Sequence, residues 1–339
     1  MGDSESRQDL ISAGLVSEFA RLEAAVQRLI EEGERDRQHI ARLTTAIIEI
    51  QGAMQRQFAV SEDLSRQTAE STQLTRQHLE HSAHLVELYS GMRNILEVQL
   101  DDISGRRGQL IATRATPEYA AALADPEPLV TVRIATFRRP DTLFDLAVPS
   151  VLAQTYKNLE VEIVCDGEVP EIARRAAELD DPRVRFVSLP LRGVYPSDPV
   201  ARWQVAGWLP ASEGAQLARG SWIAPLDDDD EFLPDHIEKL LAVAREGQFE
   251  VVYGRMAVVP PGDAPNFEVG VYPPVHGEFG WQSALYMAAL KWFDYEPGCW
   301  AINEPADWNL CRRMMAAGIR IGFTPDVVTT IYPTGPDEV

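Results

Sequence analysis

The sequence is poor in cysteine, short of positive charge, and has no proline at all in its first 116 residues. Its three cysteines, Cys165, Cys299 and Cys311, are odd in number and show no metal-ligand spacing. They exclude a disulfide framework and point to a reducing, cytoplasmic compartment. No apolar run is long enough to span a bilayer, and Met1–Leu10 is too polar for a signal peptide, so no transmembrane segment is expected. Lys and Arg total 31 against 52 Asp and Glu, a formal net charge of −21. That balance argues against nucleic acid and anionic membranes as partners. Any anionic ligand must then be held by a local metal or a few placed arginines.

The proline-free region carries a seam of apolar residues at alternating spacings of four and three: Leu15, Phe19, Leu22, Val26 and Leu29. After Gly33 and Asp36 the same phase resumes at Ile40, Leu43, Ile47, Ile50 and Met54, weakens, and returns at Leu85, Tyr89, Met92 and Leu96. Heptad spacing with Glu, Arg and Gln elsewhere is the pattern of a coiled coil. Residues 1–112 are therefore expected to be a helical oligomerisation region making a homo-oligomer. The alternative is a helical hairpin folding back near Gly33, since Gly disfavours a helix interior.

Residues 113–339 read as alternating strands and helices. Apolar, β-branched runs at Leu129–Thr136, Leu159–Cys165, Val184–Leu189, Trp222–Leu226 and Glu250–Tyr253 are separated by amphipathic stretches, including Asp141–Gln154 and Leu233–Arg245. This order predicts an α/β fold with a mostly parallel mixed sheet, and in such sheets ligands bind beyond the carboxyl ends of strands. Three strand ends carry polar groups: Thr136–Arg139, Asp166 and Asp227–Asp230. Four adjacent carboxylates at a strand end repel one another and lose hydration, so packing alone does not favour them. A hard divalent cation, Mg²⁺ or Mn²⁺, removes that objection; an acidic helix-opening turn is the plainer account.

Taken in order, these residues resemble family 2 glycosyltransferases of the GT-A, Rossmann-like fold. The resemblance rests on Ala135-Thr136-Phe137-Arg138-Arg139-Pro140 after the first strand, and on Ser150–Tyr156 reading Ser-Val-Leu-Ala-Gln-Thr-Tyr. It continues through Cys165-Asp166-Gly167, the acidic run after Leu226, and Asp307-Trp308-Asn309-Leu310 with Gly322-Phe323-Thr324-Pro325. It extends from about Leu129 to Ile331 and does not reach the heptad region.

The resemblance implies a metal-dependent, inverting transfer of one sugar from a nucleotide-diphosphate donor, UDP-type, to a hydroxyl of a glycan, lipid-linked, small-molecule or protein acceptor. It implies that Asp227 and Asp229 hold Mn²⁺ or Mg²⁺, and that Thr136, Phe137, Arg139, Asp166, Asp227 and Asp228 line the nucleotide-sugar site. Asp307 aligns with the family's general base, with Glu304 in reserve because the acidic residue usual just before the base is Ala306. Asp307 as a helix cap is the structural alternative. The family's usual Ala-Arg-Asn ahead of the acidic strand reads Pro210-Ala211-Ser212. An apparent insertion, Tyr195–Leu209, brings Arg202, Trp203 and Trp208, and His276 is a candidate substitute for the histidine that often completes the family's metal shell. No Gln-x-x-Arg-Trp motif is present, which argues against a processive synthase. The rival outside enzymology is a catalytically degenerate domain displayed by the coiled coil as an interaction scaffold. A nucleotidyltransferase is disfavoured because no Gly-rich triphosphate loop follows the first strand.

Overall fold

The computed structural model describes residues 20–21, 24, 48–57, 105–333 and 335. The chain divides into two compact units, Met1–Asp101 and Asp102–Val339. In the first, residues 48–57 are helical; most of the heptad seam, and the hairpin alternative at Gly33, lie outside the described residues. The second unit opens with helix α1 over residues 105–114, and the division expected after residue 112 would fall within it.

Helix α2 (Pro117–Ala124) starts where its sequence says it should. The Thr116 hydroxyl accepts from Tyr119 N, and Pro117 has no N–H to leave unsatisfied in the first turn. Strand β1 (Val130–Thr136) pairs in parallel with β2 (Leu159–Cys165) and, on its other side, with β4 (Trp222–Asp227). Strand β3 (Val184–Ser188) adds in parallel to β2. Helix α3 (residues 140–152) connects β1 to β2 and contains a π-helical turn at Leu143–Ala147, just ahead of Pro149, which has no N–H for a regular ladder. Helices α4 (Pro170–Glu178), α5 (Pro199–Gln204) and α6 (Trp208–Leu217) complete this half. Gly220 is where β4 enters against β1. A Cβ there would lie 2.5 Å from Leu129 O and 2.7 Å from Thr131 N, so only glycine lets the strands approach.

The second half holds the antiparallel strands. Strand β5 (Glu231–Phe232) is followed by helix α7 (His236–Gly247), β6 (Val251–Val258), β7 (Phe267–Val269), β8 (Ala284–Met287), helix α8 (Ala306–Ala317) and β9 (Ile321–Ile331). The sheet runs β3-β2-β1-β4-β8-β6-β9-β5, with β7 on β6. Six strands, β3, β2, β1, β4, β6 and β9, run in one direction and β8, β7 and β5 run against them, so the sheet is mixed and mostly parallel, as expected. The four residues of β8 run against both neighbours and join the two parallel groups. Its segment is too short, and too continuously apolar, to announce a direction.

Val130, Val132, Ile134, Val161, Ile163, Ile223 and Leu226 have no solvent exposure. Burying each such side chain contributes roughly 1.5–3 kcal/mol. The central strands are thus the most firmly fixed part of the unit, and their carboxyl ends make an accurate platform for side chains.

Candidate active site

A cavity of about 850 Å³ opens at the carboxyl ends of β1, β2 and β4. Every sequence-predicted site residue lines it: Thr136, Phe137, Arg139, Asp166, Asp227, Asp228, Asp229 and Asp307. Arg202, Trp203, Trp208 and His276 line it too; Glu304 is elsewhere engaged, as shown below.

Strand register explains the first contact. Ala135 is level with Asp227 across the β1–β4 pair, so the next residues on each chain meet as they leave the sheet. Thr136 Oγ1 donates to Asp228 Oδ2 at 2.7 Å and Phe137 N to the same oxygen at 3.3 Å. Asp228 is thus buried and directed into the turn. Burial and the neighbouring Asp229 push its carboxyl up to about 7, against the Thr136 hydroxyl and Arg139. Asp227, by contrast, is exposed to the cavity. Its carboxyl is raised by its protein surroundings and pulled back by Arg133 and Arg139. Asp230 is buried, accepts from Tyr332 N at 2.9 Å, and is pushed upward by burial, Asp227 and Asp229. The four aspartates therefore divide: Asp228 and Asp230 are buried and brace the turn, while Asp227 opens to the cavity and Asp229 meets Arg139 there.

Arg139 donates to Asp229 and lies 3.5 Å from Asp228 Oδ1. It is held by the turn before it, in which Arg138 adopts φ 60°, a left-handed conformation uncommon for a residue with a side chain. Asp166 follows β2, buried, accepting from Gly193 N at 2.8 Å and Tyr195 Oη at 2.6 Å. The Arg192 guanidinium lies 3.9 Å from the Phe137 ring centre, with its Nε 3.7 Å from Asp166. The segment Arg192–Tyr195 thus closes one wall.

Asp307 is in the first turn of α8, whose cap is Pro305, with no side-chain capping bond. Its Oδ1 accepts from the adjacent Trp308 N at 2.8 Å, and its carbonyl is fixed by Trp281 Nε1 at 2.9 Å. Burial is the chief cause of a carboxyl raised above its usual value, with Asp227 adding to it. A carboxylate of raised proton affinity facing a cavity can take a proton from a hydroxyl. Glu304 is not placed for that role. It accepts from Arg312 at 2.7 and 2.8 Å and from Asn309 Nδ2 at 2.7 Å, which commits both oxygens.

Sequence reasoning missed Arg133, Arg192, Tyr295 and Tyr332 as cavity residues. Arg133 is the one with a legible signal, a cation in the middle of an otherwise apolar and β-branched run.

Among the described residues no group of three or more His, Cys, Asp or Glu side chains forms a metal cage. Asp227 and Asp229 offer two hard carboxylates on one cavity, a donor set that fits Mg²⁺ or Mn²⁺ when phosphate oxygens and water complete the shell. No helix among the described residues is long and apolar enough to cross a membrane.

Residues 211–310 match the family described as Glycosyl transferase family 2, a span that includes both the acidic turn and Asp307. Succinoglycan biosynthesis protein ExoO of Rhizobium meliloti (strain 1021) is 33% identical over 135 residues, covering 40% of this chain and 35% of that protein. The putative colanic acid biosynthesis glycosyl transferase WcaA of Escherichia coli (strain K12) is 27% identical over 117 residues, 34% of this chain and 37% of that one. The chain therefore spans about a third of the length of these curated relatives. Among solved structures, S. aureus TarS 1–349 in complex with UDP-GlcNAc superposes with a TM-score of 0.47 at 14% identity, covering 61% of this chain and 59% of that one.

Proposed function

We propose that this chain is a GT-A glycosyltransferase that moves one sugar from a nucleoside-diphosphate donor, of UDP type, to an acceptor hydroxyl with inversion, in polysaccharide assembly. The observation that carries the reading is the meeting of Asp227, Asp229 and Asp307 on one cavity, within the span that matches the family 2 model. The two relatives concerned with succinoglycan and colanic acid support the polysaccharide setting.

In this reading Asp227 and Asp229 hold Mn²⁺ or Mg²⁺, with Arg139 yielding its place on Asp229. When bound, the metal neutralises the leaving diphosphate. Asp228, fixed by Thr136, keeps the turn in shape. Asp166, held by Gly193 N and Tyr195 Oη, and Phe137, beneath Arg192, shape the wall of the base pocket, and Asp307 takes the proton of the attacking acceptor hydroxyl. The aromatic side chains of the insertion, Trp203 and Trp208, form the wall open to a sugar ring. The three cysteines are all free and buried, in keeping with a reducing cytoplasmic setting.

The test is a panel of nucleoside-diphosphate sugars, each assayed for release of nucleoside diphosphate with Mn²⁺ and again with chelator. Release with one or a few donors, abolished by chelator, is expected. Nucleotide binding without turnover, in the presence of glycan and lipid-linked acceptors, would instead favour the scaffold.

A further inference from the structure

Arg133 is a buried cation that, among the described residues, no carboxylate meets at ion-pair distance. It lies in the middle of β1, 3% exposed, yet lines the cavity. Its side chain runs beneath α6 so closely that a Cβ on Gly214 would lie 2.6 Å from its Cγ. Glycine at that helix position makes room for the arginine stem. At the far end Nη2 donates to Tyr295 Oη at 3.1 Å, while Nε has no partner among the described residues.

The neighbour it does not use is informative. Glu162 is level with Arg133 on the adjacent strand and its side chain is fully buried, but it pairs with Arg185 on the other side. Among the described residues no carboxylate lies within ion-pair distance, 4.0 Å, of Arg133. A buried charge without a partner is costly. Arg133 turns from the available glutamate towards the cavity, whose lining includes Asp227. Helix α6, which lines the same cavity through Ala211, contains no arginine.

We propose that Arg133 is the residue that binds the diphosphate of the donor, supplying from strand β1 the guanidinium that helix α6 lacks. The inference rests on the donor class proposed above, because the diphosphate is the anion common to every nucleoside-diphosphate sugar. A planar guanidinium offers paired N–H donors to phosphate oxygens, and with Nε unmet Arg133 has donors to give.

The experiment is calorimetric titration of the full chain, with Mn²⁺, by UDP and separately by uridine, for the parent and for Arg133→Met, with thermal unfolding alongside. The expected result is UDP affinity reduced by about ten-fold or more in Arg133→Met, with uridine affinity within about two-fold of the parent. A cation that only propped up the sheet would shift both ligands together, so equal loss of UDP and uridine overturns the proposal, as does unchanged UDP affinity. Should Arg133→Met not fold, Arg133→Lys decides in its place, since it keeps the charge and loses the fork. UDP weakened by about three-fold or more with uridine unchanged supports the proposal, and UDP bound as by the parent overturns it. A parent that binds UDP while the variants bind it equally well removes Arg133 alone. A parent that binds none of UDP, GDP, ADP or CDP removes the donor reading and this proposal with it.

Discussion

At single residues, the acidic turn separates carboxylates that brace the fold from those proposed to hold the metal. Asp228 accepts from Thr136 and from the Phe137 backbone; Asp229 faces Arg139. Thr136→Val should therefore act on the fold of the turn, leaving a buried carboxylate one donor short, at a cost of about 1–3 kcal/mol in thermal or denaturant unfolding. A variant as stable as the parent would show that the bond contributes nothing. Asp229→Asn keeps size and removes charge. It should weaken Mn²⁺-supported UDP binding by about ten-fold or more while leaving unfolding nearly as it was, and calorimetry showing equal binding would remove Asp229 from the metal site. The sequence made most of these residues legible because charge at a strand end is conspicuous. Tyr295 was not legible, and Arg133 showed only as a cation inside an apolar strand; the fold, not the sequence, brings both to the cavity.

At the scale of elements, Glu250 ties the start of the unit to its sheet. Just ahead of β6 and wholly buried, it accepts from Arg114 at 2.6 and 2.8 Å, Tyr119 Oη at 2.6 Å and Arg320 N at 2.7 Å. Burial alone would raise its carboxyl, but these donors outweigh it and hold the group below its ordinary value. A carboxyl depressed in the folded state stabilises above its unfolded pKa, and that contribution is lost as pH falls through the folded value. Unfolding free energy measured from about pH 5 down to pH 3 should therefore fall less steeply in Glu250→Gln than in the parent. Equal slopes would show that Glu250 titrates alike in both states. Leu110 of α1, 1% exposed, belongs to the same core, and Leu110→Ala should cost about 2–5 kcal/mol. The first four strands were legible to within a residue or two because turn residues bound their β-branched runs. The antiparallel β8 was not, because the direction of a four-residue strand is decided by the neighbours it meets.

For the whole molecule, we propose that assembly belongs to the heptad seam and sugar transfer to the unit Asp102–Val339. A chain starting at Asp102, the first residue of the second compact unit, should scatter light as a monomer and still bind UDP, whereas the full chain should be oligomeric. A truncated chain that remains oligomeric would place the assembly surface on the α/β unit. Whether the acidic turn and Asp307 form one transfer site is decided by the turnover of the accepted donor by Asp307→Asn, measured beside UDP affinity. Asn retains the oxygen that accepts from Trp308 N but is no base. Transfer should fall by on the order of 10²–10⁴-fold with UDP affinity and thermal stability close to the parent's. Transfer near the parent rate would contradict the account.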